Sequence, residues 1–286
     1  MPISRRKFIA TSSALLALTG CGEPFQKSFN GRDRKKSLAG AAPLATNLIT
    51  SSYYNWGPKP STEGMPTTTP SMEFFPMVWG WYPKSTPTLL QTLRSEHLPV
   101  VLGFNEPDNK AQSNIPVQTA IAAWSQFQGL AREVVSPAPA NPLGPWMQTF
   151  MNAVEQQNLQ CDAVAVHSYG GINATAFLDM LSKVHDLYQR PVYVTEFAVA
   201  DWQAVNGKPN HYTVEQVATF MGTVCPAMDK LDWVKSYAWY PWGSGKSNAL
   251  TPSMLFNNSD GTLNDLGKLY GVLSPANATA LEERFS

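Results

Sequence analysis

Residues 99–108 read PVVLGFNEPD. Val100-Val101-Leu102 is a continuous apolar run, the pattern of a strand covered on both faces rather than one. It runs out through Gly103-Phe104-Asn105 into Glu106, and Pro107 turns the chain. A second run repeats the design: Val192-Tyr193-Val194 leads through Thr195 into Glu196 and Phe197. Strands buried on both faces belong to parallel sheets with helical crossovers, so each carboxylate closes a strand of such a sheet.

Working outward, strand patterns fall at 49–56, 74–81, 100–105, 134–138, 163–169, 192–197 and 234–242, with a weaker one at 253–256. Helical spacing fills 88–96, 117–131, 145–157, 174–188, 214–229 and 263–272. About eight alternating strands without a Gly-rich nucleotide loop predict a (β/α)8 TIM barrel, a single domain, rather than a doubly wound sheet. Some helices are missing or shortened, because no helical pattern separates the first two strands. Glu106 then falls on the third strand counted.

Composition bounds the partners. The 286 residues are 43% hydrophobic and only 15% charged, with nine tryptophans and zero formal net charge. The one dense basic cluster is Arg32-Asp33-Arg34-Lys35-Lys36, which gives nucleic-acid binding little electrostatic support. His97, His167, His185 and His211 are scattered and form no Cys/His cluster with metal-ligand spacing, so no metal or cofactor is expected. Gly243-Ser244-Gly245-Lys246-Ser247 lacks the leading glycine of a phosphate loop, since that position is Tyr240. No Gly-x-Ser-x-Gly is present.

The first residues read as a targeting segment. Ser4-Arg5-Arg6-Lys7-Phe8-Ile9 precedes an apolar run too short to span a bilayer. The pattern resembles a twin-arginine signal over 1–20, and Leu18-Thr19-Gly20-Cys21 resembles a bacterial lipobox with Cys21 as the lipidated residue. The expected protein is an exported, membrane-anchored bacterial lipoprotein on a periplasmic face or cell surface, with residues 21–46 as tether and 47–286 as the catalytic domain. A monomer is expected. Export would allow Cys161 and Cys225 to bridge, and folding in a reducing compartment before export would leave them as two buried free thiols, the favoured of the two readings.

In a (β/α)8 barrel the site lies at the C-terminal ends of the strands. Those ends carry Trp56, Trp79 with Trp81, Asn105-Glu106, His167-Ser168-Tyr169, Thr195-Glu196 and Trp239-Tyr240-Pro241-Trp242. Rings that stack on sugar C–H faces beside groups that bond hydroxyls describe a cleft for uncharged carbohydrate. Glu106 and Glu196 have no arginine at a neighbouring strand end, and a charge so placed is costly unless paired or functional. Two carboxylates flanking a sugar bond are the apparatus of glycoside hydrolysis, one protonating the leaving oxygen and needing a raised pKa.

Asn105-Glu106-Pro107 with Thr195-Glu196-Phe197 resembles clan A of the retaining glycoside hydrolases. The ordered set Tyr54-Asn55-Trp56, Phe75-Pro76-Met77-Val78-Trp79-Gly80, Leu102 to Asp108, His167-Ser168-Tyr169 and Thr195-Glu196-Phe197-Ala198 is similar to glycoside hydrolase family 128, over residues 48–245. The resemblance implies a β-1,3-glucanase with Glu106 as acid/base and Glu196 as nucleophile. It implies Asn105, His167 and Tyr169 at the central subsite, His167 or Tyr169 orienting Glu196, and Trp56, Trp79, Trp81, Trp239 and Trp242 as substrate-binding rings. The clan carries its acid on the fourth strand, which requires one more strand, within 89–98 or before Leu48. A non-catalytic carbohydrate-binding lipoprotein, and a clan A hydrolase of β-1,4-glucan or mannan, are the alternatives.

Overall fold

The computed structural model describes residues 35–40, 48, 50–60, 72–242, 247–257 and 261–273, which belong to one compact unit. The signal segment, Cys21, most of the tether and Gly243 to Lys246 lie outside the described residues.

Eight parallel strands form the wall. They are β1 (Lys36–Ala39), β2 (Ser52–Tyr54), β3 (Glu73–Phe74), β4 (Leu98–Leu102), β5 (Ala131–Val135), β6 (Val164–Ser168), β7 (Val192–Phe197) and β8 (Val234–Trp239). Six pair in the order β3-β2-β1-β8-β7-β6, and β4 pairs with β5. The two sheets meet at both edges through single parallel bridges, Met77 to Leu102 and Val135 to Ala163. The result is a (β/α)8 barrel. The helices are α1 (Thr86–Ser95), α2 (Val117–Trp124), α3 (Pro145–Gln156), α4 (Ala174–Tyr188), α5 (Val214–Asp229) and α6 (Asp265–Val272). Among the described residues no helix lies between β1 and β3.

The added strand is β1, so Glu106 follows β4. It also corrects the predicted tether, because Lys36–Ala39 sits between β2 and β8 inside the wall and is buried throughout. The catalytic domain begins before residue 47. Lys36 can occupy the buried strand, and Lys35 the half-buried position before it, because each lysine buries its stem and spends its ammonium on helix-end carbonyls. Lys36 Nζ donates to the oxygens of Tyr270 (2.7 Å), Gly271 (2.8 Å) and Leu273 (3.0 Å), closing the end of α6. Lys35 Nζ does the same for Met228, Asp229 and Leu231 at the end of α5.

Two apolar layers divide the residues by strand parity. Ala39, Tyr54, Phe75, Met77, Val100, Leu102, Ala165, Tyr193 and Ala238 fill the barrel lumen. Leu38, Tyr53, Val101, Val166, Val194, Tyr237 and Trp239 face the helices. On α5, Val217, Phe220, Met221, Val224 and Met228 recur at helical spacing and cover the wall, behind a capping box of Thr213 and Gln216. Cys161 and Cys225 are buried free thiols, and burial pushes the Cys161 thiol up to about 12.

Gly103 is required by close approach. A Cβ there would lie 2.7 Å from Pro137 N and 2.8 Å from the Ser136 carbonyl. Both contacts are backbone, so no side chain can yield. Gly103→Ala should cost about 1–3 kcal/mol, read as a Tm lower by roughly 2–4 °C per kcal/mol for a domain of this size.

Candidate active site

The two glutamates arrive by different local devices. On β7, strict alternation would put Tyr193 inward, Val194 outward, Thr195 inward and Glu196 outward. The register slips instead: Val166 pairs with Val194, and His167 pairs with Glu196. This bulge skips Thr195 and turns Glu196 into the lumen beside His167, the re-aiming that bulges near active sites perform. Glu106 is aimed by its backbone. Its φ is +39°, in the left-handed region rare for a residue with a Cβ. Its N–H donates to Ala138 O at 2.8 Å, and the Asn105 N–H donates to Trp79 O at 2.9 Å. Trp56 also has positive φ, +60°. Backbone strain of this kind collects where the surroundings over-determine a functional side chain.

Glu196 takes three side-chain donors. Tyr54 Oη reaches Oε1 at 3.0 Å, Trp56 Nε1 reaches Oε1 at 2.7 Å and Tyr169 Oη reaches Oε2 at 2.5 Å. Burial and the Glu196 charge push the hydroxyls of Tyr54 and Tyr169 well above their ordinary value, so both stay donors. Glu106 is held from two sides. His167 Nδ1 lies 3.0 Å from Oε1, and Asn109 Nδ2 donates to Oε2 at 2.7 Å. Asp108 accepts the Ala140 and Asn141 N–H groups and ties the next loop to this one.

His167 is buried between the two carboxylates, with Nε2 3.6 Å from Glu196 Oε1. Burial alone would lower this imidazole, but Glu196 and Glu106 outweigh it and raise its pKa. Burial alone would likewise raise Glu106, but the hydrogen bond and charge of His167 and the Asn109 amide hold it below its ordinary value. The raised acid expected from the reaction class is therefore not the state of the unliganded site.

Glu106, His167 and Glu196 each bring one ligand-type atom within 4.8 Å of one another, and among the described residues this is the one group that could hold a metal ion. The donor chemistry disfavours one. Both oxygens of each carboxylate already have a protein partner, the Tyr54 and Tyr169 hydroxyls on Glu196 and the Asn109 amide and His167 ring on Glu106, and a cation would have to displace them.

Above the carboxylates opens a cleft of about 810 Å³ lined by Trp56, Trp79, Asn105, Glu106, Asn109, Gln112, Ala140, His167, Tyr169, Glu196, Trp202, Tyr240 and Leu250. Of the predicted residues, Glu106, Glu196, Asn105, Trp56, Trp79, His167 and Tyr169 converge there. Three rings do not. Trp239 is fully buried: its neighbour Ala238 faces the lumen, so its own ring points outward onto Phe197 and Tyr270, and its indole donates to Ser253 O at 2.8 Å. Trp81 packs on the outer layer past the turn at Gly80, and Trp242 lies against Phe256. The sequence reading missed Tyr54, Asn109, Gln112, Trp202 and Tyr240. Alternation along β8 points to Tyr240, the next lumen position after Ala238. Trp202 gives no such signal, because it stands in the loop after β7, 58% exposed, edge-on to Tyr169 with its indole on Tyr169 O.

Residues 35–270 match the family model described as glycosyl hydrolase catalytic core. Alkali-sensitive linkage protein 1 of Schizosaccharomyces pombe is 30% identical over 183 residues, 59% of this chain and 32% of that protein. The chain thus spans about a third of that curated relative. An endo-β-1,3-glucanase of glycoside hydrolase family 128, subgroup I, from Amycolatopsis mediterranei, solved with laminaritriose, is 27% identical with a TM-score of 0.69, covering 83% of this chain and 98% of that one. A subgroup VII oligosaccharide-binding protein from Trichoderma gamsii is 25% identical with a TM-score of 0.64, covering 88% and 95%. The chain belongs to the glycosyl hydrolase catalytic core family and, through these solved relatives, stands with glycoside hydrolase family 128.

Proposed function

We propose that this chain hydrolyses β-1,3-glucan with retention of configuration, through a covalent glycosyl-enzyme intermediate. The observation that carries the reading is the carboxylate pair: Glu106 and Glu196 offer oxygens within 4.8 Å of each other beneath an aromatic cleft. Retaining pairs stand about 5–5.5 Å apart, whereas inverting pairs need about 6.5–9.5 Å for an intervening water. The linkage comes from the relative described as an endo-β-1,3-glucanase and solved with laminaritriose.

In this reading Glu196 attacks the anomeric carbon, and its Oε–C1 bond forms as the glycosidic C1–O bond breaks. Glu106 delivers a proton to the departing oxygen, then takes one from the water that hydrolyses the ester. Tyr54, Trp56 and Tyr169 fix the nucleophile. Asn105 Oδ1 is buried and has no protein partner, which suits an acceptor for a sugar hydroxyl. Trp56, Trp79, Trp202 and Tyr240 supply the stacking faces.

The test is release of new reducing ends by the purified full chain on a panel of β-1,3-, β-1,4- and β-1,6-glucans and mannan, with the product anomer followed by NMR. The expected result is hydrolysis of β-1,3-glucan giving the β-anomer first. Binding without release would assign the chain to the oligosaccharide-binding kind its Trichoderma relative represents. An α-anomer first would overturn retention.

A further inference from the structure

We propose that the catalytic proton of the unliganded enzyme resides on the imidazole of His167 and that His167 and Glu106 titrate as one pair. This inference rests on the glycosidase reading above and adds a positioning residue to it.

The geometry leaves few arrangements. His167 is 3% exposed and presents one nitrogen to each carboxylate, Nδ1 to Glu106 at 3.0 Å and Nε2 toward Glu196 at 3.6 Å. Nε2 has no closer partner. A neutral imidazole has one N–H, so a bare lone pair would face one carboxylate. Tyr54, Trp56 and Tyr169 already donate to Glu196, which is thereby held as an acceptor, so the Nε2 that faces it carries a hydrogen. The remaining proton lies on the line from Nδ1 to Glu106 Oε1. Asn109 donates to the other Glu106 oxygen, and a donor to the charged form favours the ionised carboxylate. The proton therefore sits on Nδ1. The titratable groups around the ring are Glu106 and Asp108 from the loop after β4, Glu196 from β7 and, through Glu196, Tyr54, Tyr169 and Tyr240. The carboxylates raise the imidazole and the imidazole lowers Glu106, in agreement with this placement.

The proton balance closes. When Glu196 forms its bond to C1, the leaving alcohol carries away one proton and the pair is left with a neutral ring and an ionised Glu106. The water that later attacks C1 gives up one proton, which restores the imidazolium. A coupled pair titrates with a macroscopic pKa belonging to both members. Because His167 is raised, the competent form persists as pH rises through the ordinary imidazole value of about 6.5 and is lost only above it.

The test uses the full-length protein and two readouts. In the first, the pH profile of kcat/KM on β-1,3-glucan is compared for wild type, His167→Asn and His167→Gln, both of which keep an amide donor without charge. The alkaline limb should move at least about one pH unit toward acid in both variants, toward the carboxylate range near about 4.3. A limb unmoved in His167→Gln would overturn the inference, since a purely structural role predicts lower kcat at unchanged pH dependence. In the second, imidazole 15N shifts of the unliganded wild type are followed against pH, with Glu106→Gln to identify the coupled ring. One histidine should keep both nitrogens protonated at pH 7, and its titration should fall to lower pH in Glu106→Gln. A His167 neutral at pH 7 would overturn the inference. The NMR arm needs no substrate, so it stands if the glucan assignment fails and remains decisive if a His167 variant does not fold.

Discussion

Glu196→Ala is expected to lower kcat on β-1,3-glucan by on the order of 10⁴-fold, about 5.5 kcal/mol of transition-state stabilisation. In the proposed mechanism the side chain removed is the one that bonds the anomeric carbon, so the loss should fall on kcat more than on KM. The wall should survive, because Tyr54 Oη still has Thr195 O at 2.9 Å when the carboxylate is gone. Exogenous azide gives a sharper readout than rate alone. In Glu196→Ala the small nucleophile enters the vacated space and should release a glycosyl azide of inverted configuration. In Glu106→Ala, where the ester still forms, the azide product should keep the substrate's configuration. Exchanged outcomes would swap the two roles, and activity close to wild type in Glu196→Ala would remove the assignment.

Lys36→Met should be the most destabilising change far from the cleft. Methionine fills the channel of the stem but leaves the oxygens of Tyr270, Gly271 and Leu273 without their ammonium donor and removes a cation held 5.4 Å from the Tyr270 ring centroid. Buried groups stripped of a charged partner cost about 1–3 kcal/mol each at most sites. A total near 3 kcal/mol would lower Tm by roughly 6–12 °C in a domain of this size. Thermal unfolding checks it. A shift under 2 °C would mean that the end of α6 finds other donors and contributes little to holding the wall.

Much of the barrel was legible because its period was strong. Val192–Phe197, Ala174–Tyr188 and Val214–Asp229 stand where apolar runs and helical spacing put them. β1 was not legible: Lys-Ser-Leu-Ala, with Lys35 before it, reads as solvated tether until the partners of the two ammonium groups are known, and those lie more than 190 residues away. The same distinction separates the site residues. The glutamates could be read because each ends a buried run, but the bulge at Thr195 and the left-handed backbone of Glu106 leave no trace in the sequence pattern. Trp239 was misplaced because proximity to a strand end was weighed without parity. Alternation from Ala238 puts Trp239 among the helices and Tyr240 in the lumen.

The position of β1 also has a consequence for how the chain must be made. It pairs with β2 over three positions and with β8, whose residues begin at Val234, over three more. Its Lys36 bonds carbonyls up to 237 residues further along the chain. Closing loops of that length delays the contacts that reward it. During synthesis the early strands emerge with the β1 edge bare until β8, its partner in the wall, has left the ribosome. Closure of the wall is thereby tied to synthesis of β8, and the interval before it is when the nascent wall is most exposed to wrong pairing.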